Sequence, residues 1–202
     1  MPAELLIGSD GVARCPWPGS DPLYVAYHDD DWGRPVRDER ELFEKLILDG
    51  AQAGLAWITI LRKRDGYRKA FDRFDPERIA AYGPDDVERL LADPGIVRNR
   101  QKVAAAISNA QALLAMHDAG ETLVDLVWAH QPDTHPRLRA GDDYPVTSPE
   151  AEVLSKALRD RGWKFVGPTI VYAFMQAVGV VNDHLEGCAF GDRNEAIAPI
   201  GE

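Results

Sequence analysis

Two cysteines and two histidines form pairs at opposite ends of the 202-residue chain. Cys15 precedes His28 by thirteen residues, and His184 precedes Cys188 by four. Thiolate and imidazole are the ligands that zinc prefers in four-coordinate structural sites, and a His-x3-Cys spacing puts both donors on one side of a helical turn or tight loop. The four residues are therefore candidate ligands of one structural zinc ion that joins the two ends of the chain.

The spacing of these residues leaves other states of the cysteines open. With only two cysteines a disulfide framework is excluded, and a single bridge, two free thiols or shared metal ligation remain. Short Cys/His spacings also arise by chance, so spacing alone does not decide between a metal site and two buried free cysteines. The other histidines, His117, His130 and His135, have no cysteine nearby and are interpreted as surface residues.

Aromatic side chains form a second group. Trp17, Tyr24, Tyr27 and Trp32 lie in a stretch with little helical or strand periodicity, and Trp57 follows later. Large aromatic side chains are usually buried for packing, so this stretch is explained either as an arm packed on the core or as the lining of a pocket.

One acidic residue falls on the apolar stripe of a predicted helix. At 3.6 residues per turn, Asp49 shares a narrow arc with Leu42, Leu46 and Ala53. An unpartnered carboxylate in that position is costly or has a raised pKa, so it is either paired within the protein or held for a ligand. A buried carboxylate among aromatic rings suits a flat cationic ligand, and a methylated purine is such a ligand.

The elements that hold these residues are predicted to be helices, because helix start and stop signals recur from Asp38 onward without period-two alternation. The predicted helices are Asp38 to Gly50 or Gly54, one opening at each of Pro76 and Pro84, Val103 to Gly120, Thr122 to Trp128, Pro149 to Gly162 with Val153, Leu154, Ala157 and Leu158 buried, and one opening at Pro168. The segment from His130 to Pro149 is predicted to be a long surface connection. The last two helices flank a turn at 162–167, which is a helix-hairpin-helix pattern.

Composition and charge limit the class of protein. A hydrophobic fraction of 45% provides one substantial core or two small lobes and excludes a disordered chain. Residues 1–10 show no basic region or long apolar run typical of a signal sequence, and no later segment has the roughly 20 apolar residues that a membrane span needs. We therefore expect a soluble, cytoplasmic protein. A net charge of -10 means that any DNA binding depends on a local basic patch. The candidates, equally explained as ordinary surface, are Arg62, Lys63, Arg64, Arg98, Arg100, Lys102 and Lys164.

Nine short sequences between residues 14 and 190 resemble one known family. They are Arg14-Cys15-Pro16-Trp17, Asp21-Pro22-Leu23-Tyr24, Ala26-Tyr27-His28-Asp29, Trp32-Gly33, Gln52-Ala53-Gly54-Leu55-Ala56-Trp57, Gly95-Ile96-Val97-Arg98, Leu154-Ser155-Lys156-Ala157-Leu158, Lys164-Phe165-Val166-Gly167 and Asn182-Asp183-His184. Several motifs in the right order are far more specific than any one of them. Together they closely resemble the DNA-3-methyladenine glycosylase I family.

The resemblance implies an all-α, helix-hairpin-helix DNA glycosylase that flips 3-methyladenine out of alkylated double-stranded DNA and hydrolyses its bond to the sugar. We expect a monomer, with free 3-methyladenine as product ligand and no membrane partner. The implied zinc ligands are Cys15, His28, His184 and Cys188. The implied base-binding residues are Trp17, Tyr24, Tyr27, Asp49 and Trp57, with Asp49 as candidate catalytic residue. The implied DNA-binding residues are Gln52, Gly54, Leu55, Lys164, Phe165, Val166, Gly167 and Thr169.

The resemblance also implies a division of the chain, and one position departs from the family pattern. We expect an extension at 1–13, one unit of two helical lobes at 14–190 with the hairpin near 162–170, and a tail at 191–202. The family typically has glutamate where this chain has Asp49, so the carboxylate is one methylene shorter. Thr169 stands where relatives with lyase activity carry a Schiff-base lysine, which predicts a monofunctional enzyme. Asp183 lies near the position of a catalytic aspartate in other hairpin glycosylases, but we do not predict that it is catalytic.

Two functions from other classes compete with this interpretation. One is a zinc-linked helical DNA-binding module without activity, which a structurally paired Asp49 and a closed pocket would favour. The other is a zinc hydrolase, which needs an open coordination position. Four protein ligands argue against the hydrolase.

Overall fold

A computed structural model describes residues 4–194 of the chain. These residues contain ten α-helices, two short 3-10 helices at Asp72–Phe74 and Gly191–Asn194, and a two-stranded antiparallel sheet of β1 (Leu6–Ile7) and β2 (Ala13–Arg14). The helices are α1 (Pro22–Asp30), α2 (Glu39–Gln52), α3 (Trp57–Leu61), α4 (Arg64–Ala70), α5 (Pro76–Ala80), α6 (Pro84–Ala92), α7 (Arg100–Asp118), α8 (Leu123–Trp128), α9 (Pro149–Asp160) and α10 (Pro168–Ala177). The fold is therefore mostly helical, as predicted, with one small hairpin of strands.

The described residues divide into two compact units. The first contains 4–36, 131–146 and 175–194, and the second contains 37–130 and 147–174. Part of the predicted tail, from residue 195 onward, lies outside the described residues. Among the described residues, no helix combines the length and apolar character needed to cross a membrane.

Local capping signals explain where the helices begin. The Asp38 side chain accepts the N–H of Glu41 at the start of α2, and Ser148 accepts the N–H of Ala151 at the start of α9. Proline occupies the first position of α5, α6, α9 and α10, where its missing N–H costs no hydrogen bond. The predicted helix starts are therefore confirmed. They were predictable because caps and prolines act only on the neighbouring backbone.

The second unit has an apolar core around α2. Leu42, Phe43 and Leu46 of α2 are almost completely buried, and the helix contacts α3, α7 and α8. Helix α7 packs against α5 and α6, and its Val103 and Ala110 side chains are buried. This packing fixes the face of α2 that carries Asp49.

The predicted buried face of α9 is wrong at Val153, whose exposed fraction is 57%. Leu154 and Leu158 are buried as predicted, and Ser155 is buried beside them. Each helical residue turns the side-chain direction by about 100°, so Val153 points away from the stripe that Leu154 and Leu158 define. The hydroxyl group of Ser155 donates a 2.6 Å hydrogen bond to the carbonyl of Val166.

The segment from 131 to 148 contains no helix, as predicted, but it is more than a surface connection. Leu138 forms an isolated parallel bridge with Leu185. The Arg137 guanidinium donates to the carbonyl of Leu185 at 2.6 Å and to that of His184 at 3.3 Å. Within the first unit, this segment therefore braces the chain around His184.

Candidate functional site

The four predicted metal ligands meet in the first unit. Helix α1, capped by the Asp21 side chain, carries His28, and Cys15 directly follows β2. Cys15, His28, His184 and Cys188 are all buried, and one ligand atom from each lies within 4.8 Å of the others. The sequence prediction that these residues come together is confirmed, and the cluster could hold a metal ion.

The distances in this cluster fit tetrahedral coordination. Cys188 Sγ lies 3.4 Å from His184 Nδ1 and 3.6 Å from His28 Nε2, and Cys15 Sγ lies 3.6 Å from His184 Nδ1. A tetrahedral zinc ion, with bonds of about 2.3 Å to sulfur and about 2.0 Å to nitrogen, separates such atoms by roughly 3.5 Å. Cys15 and Cys188 do not form a disulfide with each other, so the alternative of a single bridge is excluded.

A charged network holds the His28 ring in one orientation. His28 Nδ1 lies 2.7 Å from Asp29 Oδ1, and because a carboxylate only accepts, Nδ1 carries the hydrogen and Nε2 faces the cluster. The Arg14 guanidinium donates to both Asp29 oxygens and also binds Asp10, where it lowers the pKa of the exposed carboxyl to about 2. The role of Asp29 in orienting His28 was not predicted, although carboxylates commonly support ligating histidines.

His135 corrects the interpretation of the remaining histidines. Its Nε2 lies 2.6 Å from Oδ1 of Asp183, an aspartate that is almost completely buried. The other oxygen of Asp183 accepts a 2.6 Å hydrogen bond from Gln176. Both carboxylate oxygens therefore have protein partners, and His135 anchors the 131–146 segment instead of lying free on the surface. His117 is exposed, as expected, and pairs with Glu39 at 2.8 Å.

The predicted aromatic residues of the first unit form one cluster around Trp17. The Trp17 ring makes edge contacts with Tyr24 at 5.0 Å, Tyr27 at 6.3 Å and Trp32 at 5.0 Å between centroids. It also contacts His28 at 5.2 Å, so the aromatic cluster adjoins the metal-ligand cluster. Trp32 and Tyr27 are buried as an arm packed on a core would be, whereas Trp17 and Tyr24 keep part of their surface exposed.

Asp49 is buried on the inner face of α2, as predicted, and is only partly paired. Its exposed fraction is 2%, and its Oδ1 atom accepts a short hydrogen bond from the ammonium group of Lys45, one turn earlier. The Oδ2 atom is buried and has no hydrogen-bond partner among the described residues. Burial raises the pKa of Asp49, and the Lys45 charge opposes that rise. One carboxylate oxygen thus remains available as an acceptor.

Lys45 links Asp49 to Trp57 within the second unit. Its Nζ atom lies 4.0 Å from the centroid of the Trp57 ring, in cation–π geometry. Lys45 was not among the predicted site residues, although its i, i+4 spacing to Asp49 on a helix is visible in the sequence. Lysine is mostly exposed in proteins, so the residue was not considered for the buried face.

The residues between α2 and α3 include part of the predicted DNA-binding set. Gly54 has a φ of +78°, which an L side chain rarely adopts, and a Cβ atom there would meet nothing within 4 Å. The adjacent Leu55 is an exposed large apolar residue at 39%. Gln52, at the end of α2, closes the turn by donating to the Leu55 carbonyl at 3.4 Å. The turn therefore presents an apolar side chain at the surface.

The turn between α9 and α10 is held from the buried side. The Asn109 amide of α7 donates to the Lys164 carbonyl at 3.0 Å and accepts the Lys164 N–H at 2.7 Å. Phe165 takes a positive φ of 54°, and Lys164 and Thr169 are exposed. The side chain of Val166 is buried, so any contact of this predicted DNA-binding residue with a ligand would use its backbone.

Several basic residues of the predicted patch have partners inside the protein. The Lys102 ammonium donates to the carbonyls of Ala51 and Ala53 at 2.7 Å each, and burial lowers its pKa. Lys63 donates to the carbonyl of Pro94 at 2.7 Å. Lys102 therefore stabilises the segment that leads to Gly54. This structural role was not predicted from the sequence.

Comparison with known proteins places this chain among enzymes that act on alkylated DNA. The sequence model of the methyladenine glycosylase family matches residues 17–191. DNA-3-methyladenine glycosylase 1 of Escherichia coli (strain K12) is 51% identical over 180 residues, which are 88% of this chain and 96% of that protein.

Solved structures agree with the sequence comparison. A crystal structure of 3-methyladenine DNA glycosylase I has a TM-score of 0.83 and 52% identity, covering 87% of this chain and 98% of its own. A structure that describes 3-methyladenine recognition by the Staphylococcus aureus enzyme has a TM-score of 0.83 and 34% identity, covering 88% of this chain and 96% of its own.

Proposed function

The chain belongs to the methyladenine glycosylase family, and on that premise we propose that it is a DNA-3-methyladenine glycosylase that hydrolyses the N-glycosidic bond of 3-methyladenine in alkylated DNA. The observation that carries this proposal is the 51% identity to a named DNA-3-methyladenine glycosylase over nearly the full length of both proteins. Removal of the damaged base initiates base excision repair. The two cysteines are not joined by a disulfide, which suits the reducing cytoplasm, where we place the enzyme.

The chemistry needs little acid catalysis. A 3-methylated adenine in DNA is cationic, so it departs with the electron pair of the bond between its N9 and the sugar carbon C1′. Water then forms the new bond at C1′ and releases a proton, which leaves an abasic site and free 3-methyladenine. The protein contributes mainly by extracting the base from the stack and orienting it for this step.

We propose that the base is bound by aromatic rings and one carboxylate. The proposed residues are Trp17, Tyr24, Tyr27, Asp49 and Trp57. In the first unit, the partly exposed Trp17 and Tyr24 rings support stacking. In the second unit, the unpartnered Oδ2 atom of Asp49 supports acceptance of an N–H from the base, and Asp49 is the proposed catalytic residue. The Staphylococcus aureus relative is described as recognising 3-methyladenine.

DNA would be gripped by two exposed turns of the second unit. We assign the α9–turn–α10 segment as the helix-hairpin-helix element, because Asn109 and Ser155 hold its backbone while Lys164 and Thr169 remain exposed. Leu55, next to Gly54, would fill the gap left by the flipped base in the duplex. Threonine at 169 cannot form a Schiff base, so we propose a monofunctional enzyme. We propose separately that it acts as a monomer.

We propose that Cys15, His28, His184 and Cys188 hold one structural zinc ion. The ligand distances and the buried thiol and imidazole donors support this metal. When bound, it would cross-link the segments around residues 15–28 and 184–188. Four protein ligands leave no open position for a substrate, which disfavours a zinc hydrolase.

Free 3-methyladenine is expected to raise the melting temperature of the protein, because a site specific for this base binds the product. At one hundred times its Kd a ligand stabilises the folded state by about 2.7 kcal/mol. For a chain of this size that corresponds to a rise of roughly 5 °C or more in a thermal shift assay.

Adenine, which lacks the methyl group, serves as the control ligand and should produce a smaller rise. Equal melting temperatures with and without 3-methyladenine would contradict the proposal. That outcome would favour the alternative of a zinc-linked DNA-binding module without catalysis.

A further inference from the structure

Lys45 contacts both proposed base-binding residues of the second unit, Asp49 and Trp57. Its ammonium group donates to Oδ1 of Asp49 and lies 4.0 Å from the Trp57 ring centroid. Its side chain is only 16% exposed, and that of Asp49 only 2%. The lysine therefore occupies one carboxylate oxygen of Asp49 and one face of the Trp57 ring, both of which a flat cationic ligand would otherwise use.

The Lys45 and Asp49 side chains together carry no net charge when both are ionised. A lone buried carboxylate favours a cationic ligand strongly, because charges close together at low dielectric interact strongly. With the lysine bonded to the carboxylate, much of that preference is cancelled. What remains for a ligand is the hydrogen-bond acceptor Oδ2, which a neutral base with an N–H donor can also use.

We propose that Lys45 is a specificity-determining residue, which reduces the preference for a cationic base and shifts recognition to hydrogen bonding at Asp49 Oδ2. This inference rests on the proposed function, since it requires that a methylated purine binds beside Asp49. It goes beyond that function in naming the residue that sets charge selectivity. The enzyme should accordingly accept neutral bases of the same shape as well as charged ones.

The test compares two ligands by isothermal titration calorimetry. One is 3-methyladenine, and the other is 3,9-dimethyladeninium, a fixed cation in which a methyl group replaces the sugar carbon. The measured quantity is the ratio of their Kd values in each protein. A ratio is insensitive to partial loss of active protein, and the effect of the extra methyl group cancels between variants.

Replacing Lys45 with methionine removes the charge and keeps an unbranched side chain. We expect the Kd of 3,9-dimethyladeninium to fall relative to that of 3-methyladenine by at least about tenfold, because a positive charge no longer lies beside the bound ligand. Lys45→Gln, which keeps a donor for Asp49 without the charge, should shift the ratio in the same direction. Lys45→Arg should leave it within about twofold.

The chain offers a matched control in α9. Lys156 and Asp160 form the same i, i+4 lysine–aspartate pair, but both side chains are exposed, at 72% and 59%. Lys156→Met should leave the ratio unchanged. If Lys45→Met and Lys45→Gln both keep the ratio of the wild type, the charge-selectivity proposal is wrong while the glycosylase proposal stands. If the wild type binds neither base, both proposals are wrong.

Discussion

Asp49→Asn is expected to lower the rate of 3-methyladenine release from alkylated DNA by about a hundredfold. The side chain keeps its size, but one carboxylate oxygen becomes an amide that donates instead of accepting. The buried Oδ2 atom, which has no partner among the described residues, is the acceptor that this change threatens. Single-turnover base release measured by chromatography separates this loss from slower product release.

Matched variants show whether the loss belongs to this carboxylate. Asp160→Asn makes the same change in an exposed i, i+4 pair with a lysine and should retain full activity. Asp49→Glu restores the side chain typical of the family and should remain active. Full activity of Asp49→Asn would remove Asp49 from the catalytic residues.

Loss of one cluster cysteine is expected to destabilise the protein severely. Cys188→Ser should lower the melting temperature by at least about 10 °C, because binding of a structural zinc ion is coupled to folding. The Cys188 sulfur lies within 3.6 Å of both His28 and His184, so its loss affects the whole cluster. Calorimetry combined with metal analysis of the purified protein measures both effects.

His117→Ala is the control for this prediction, since the His117 side chain is exposed, lies outside the cysteine–histidine cluster and pairs with Glu39. Its melting temperature should change by no more than about 2 °C. Chelation should unfold the wild-type protein as well as inactivate it. A zinc hydrolase would instead lose its chemistry while remaining folded. Purified protein without metal, combined with an unchanged melting temperature of Cys188→Ser, would contradict the zinc assignment.

The parts of this protein that depend on local signals were predictable from sequence. Asp38, Ser148 and the prolines fix helix starts through neighbouring backbone alone. The metal-ligand cluster was predictable because few residue types bind zinc and the chain has two cysteines. Val153 was assigned to the wrong face because one residue turns a helix by about 100°.

Long-range partners were not predictable in the same way. His135 and Asp183 are separated by 48 residues, and nothing in either segment indicates that they meet. Lys45 lay within reach of the helical spacing, but a lysine is ordinarily assigned to the surface. Its pairing with Asp49 changes the expected site from a bare carboxylate to a neutral pair with one free acceptor oxygen.

The most direct test of the proposed activity is base release from duplex DNA treated with a methylating agent. Chromatography of the released bases should show 3-methyladenine increasing with time and with enzyme concentration. The DNA strand should stay intact until alkali cleaves the abasic sites. If the wild type releases no 3-methyladenine while Asp49→Glu does, the proposed function is wrong for this chain and correct only for its relatives.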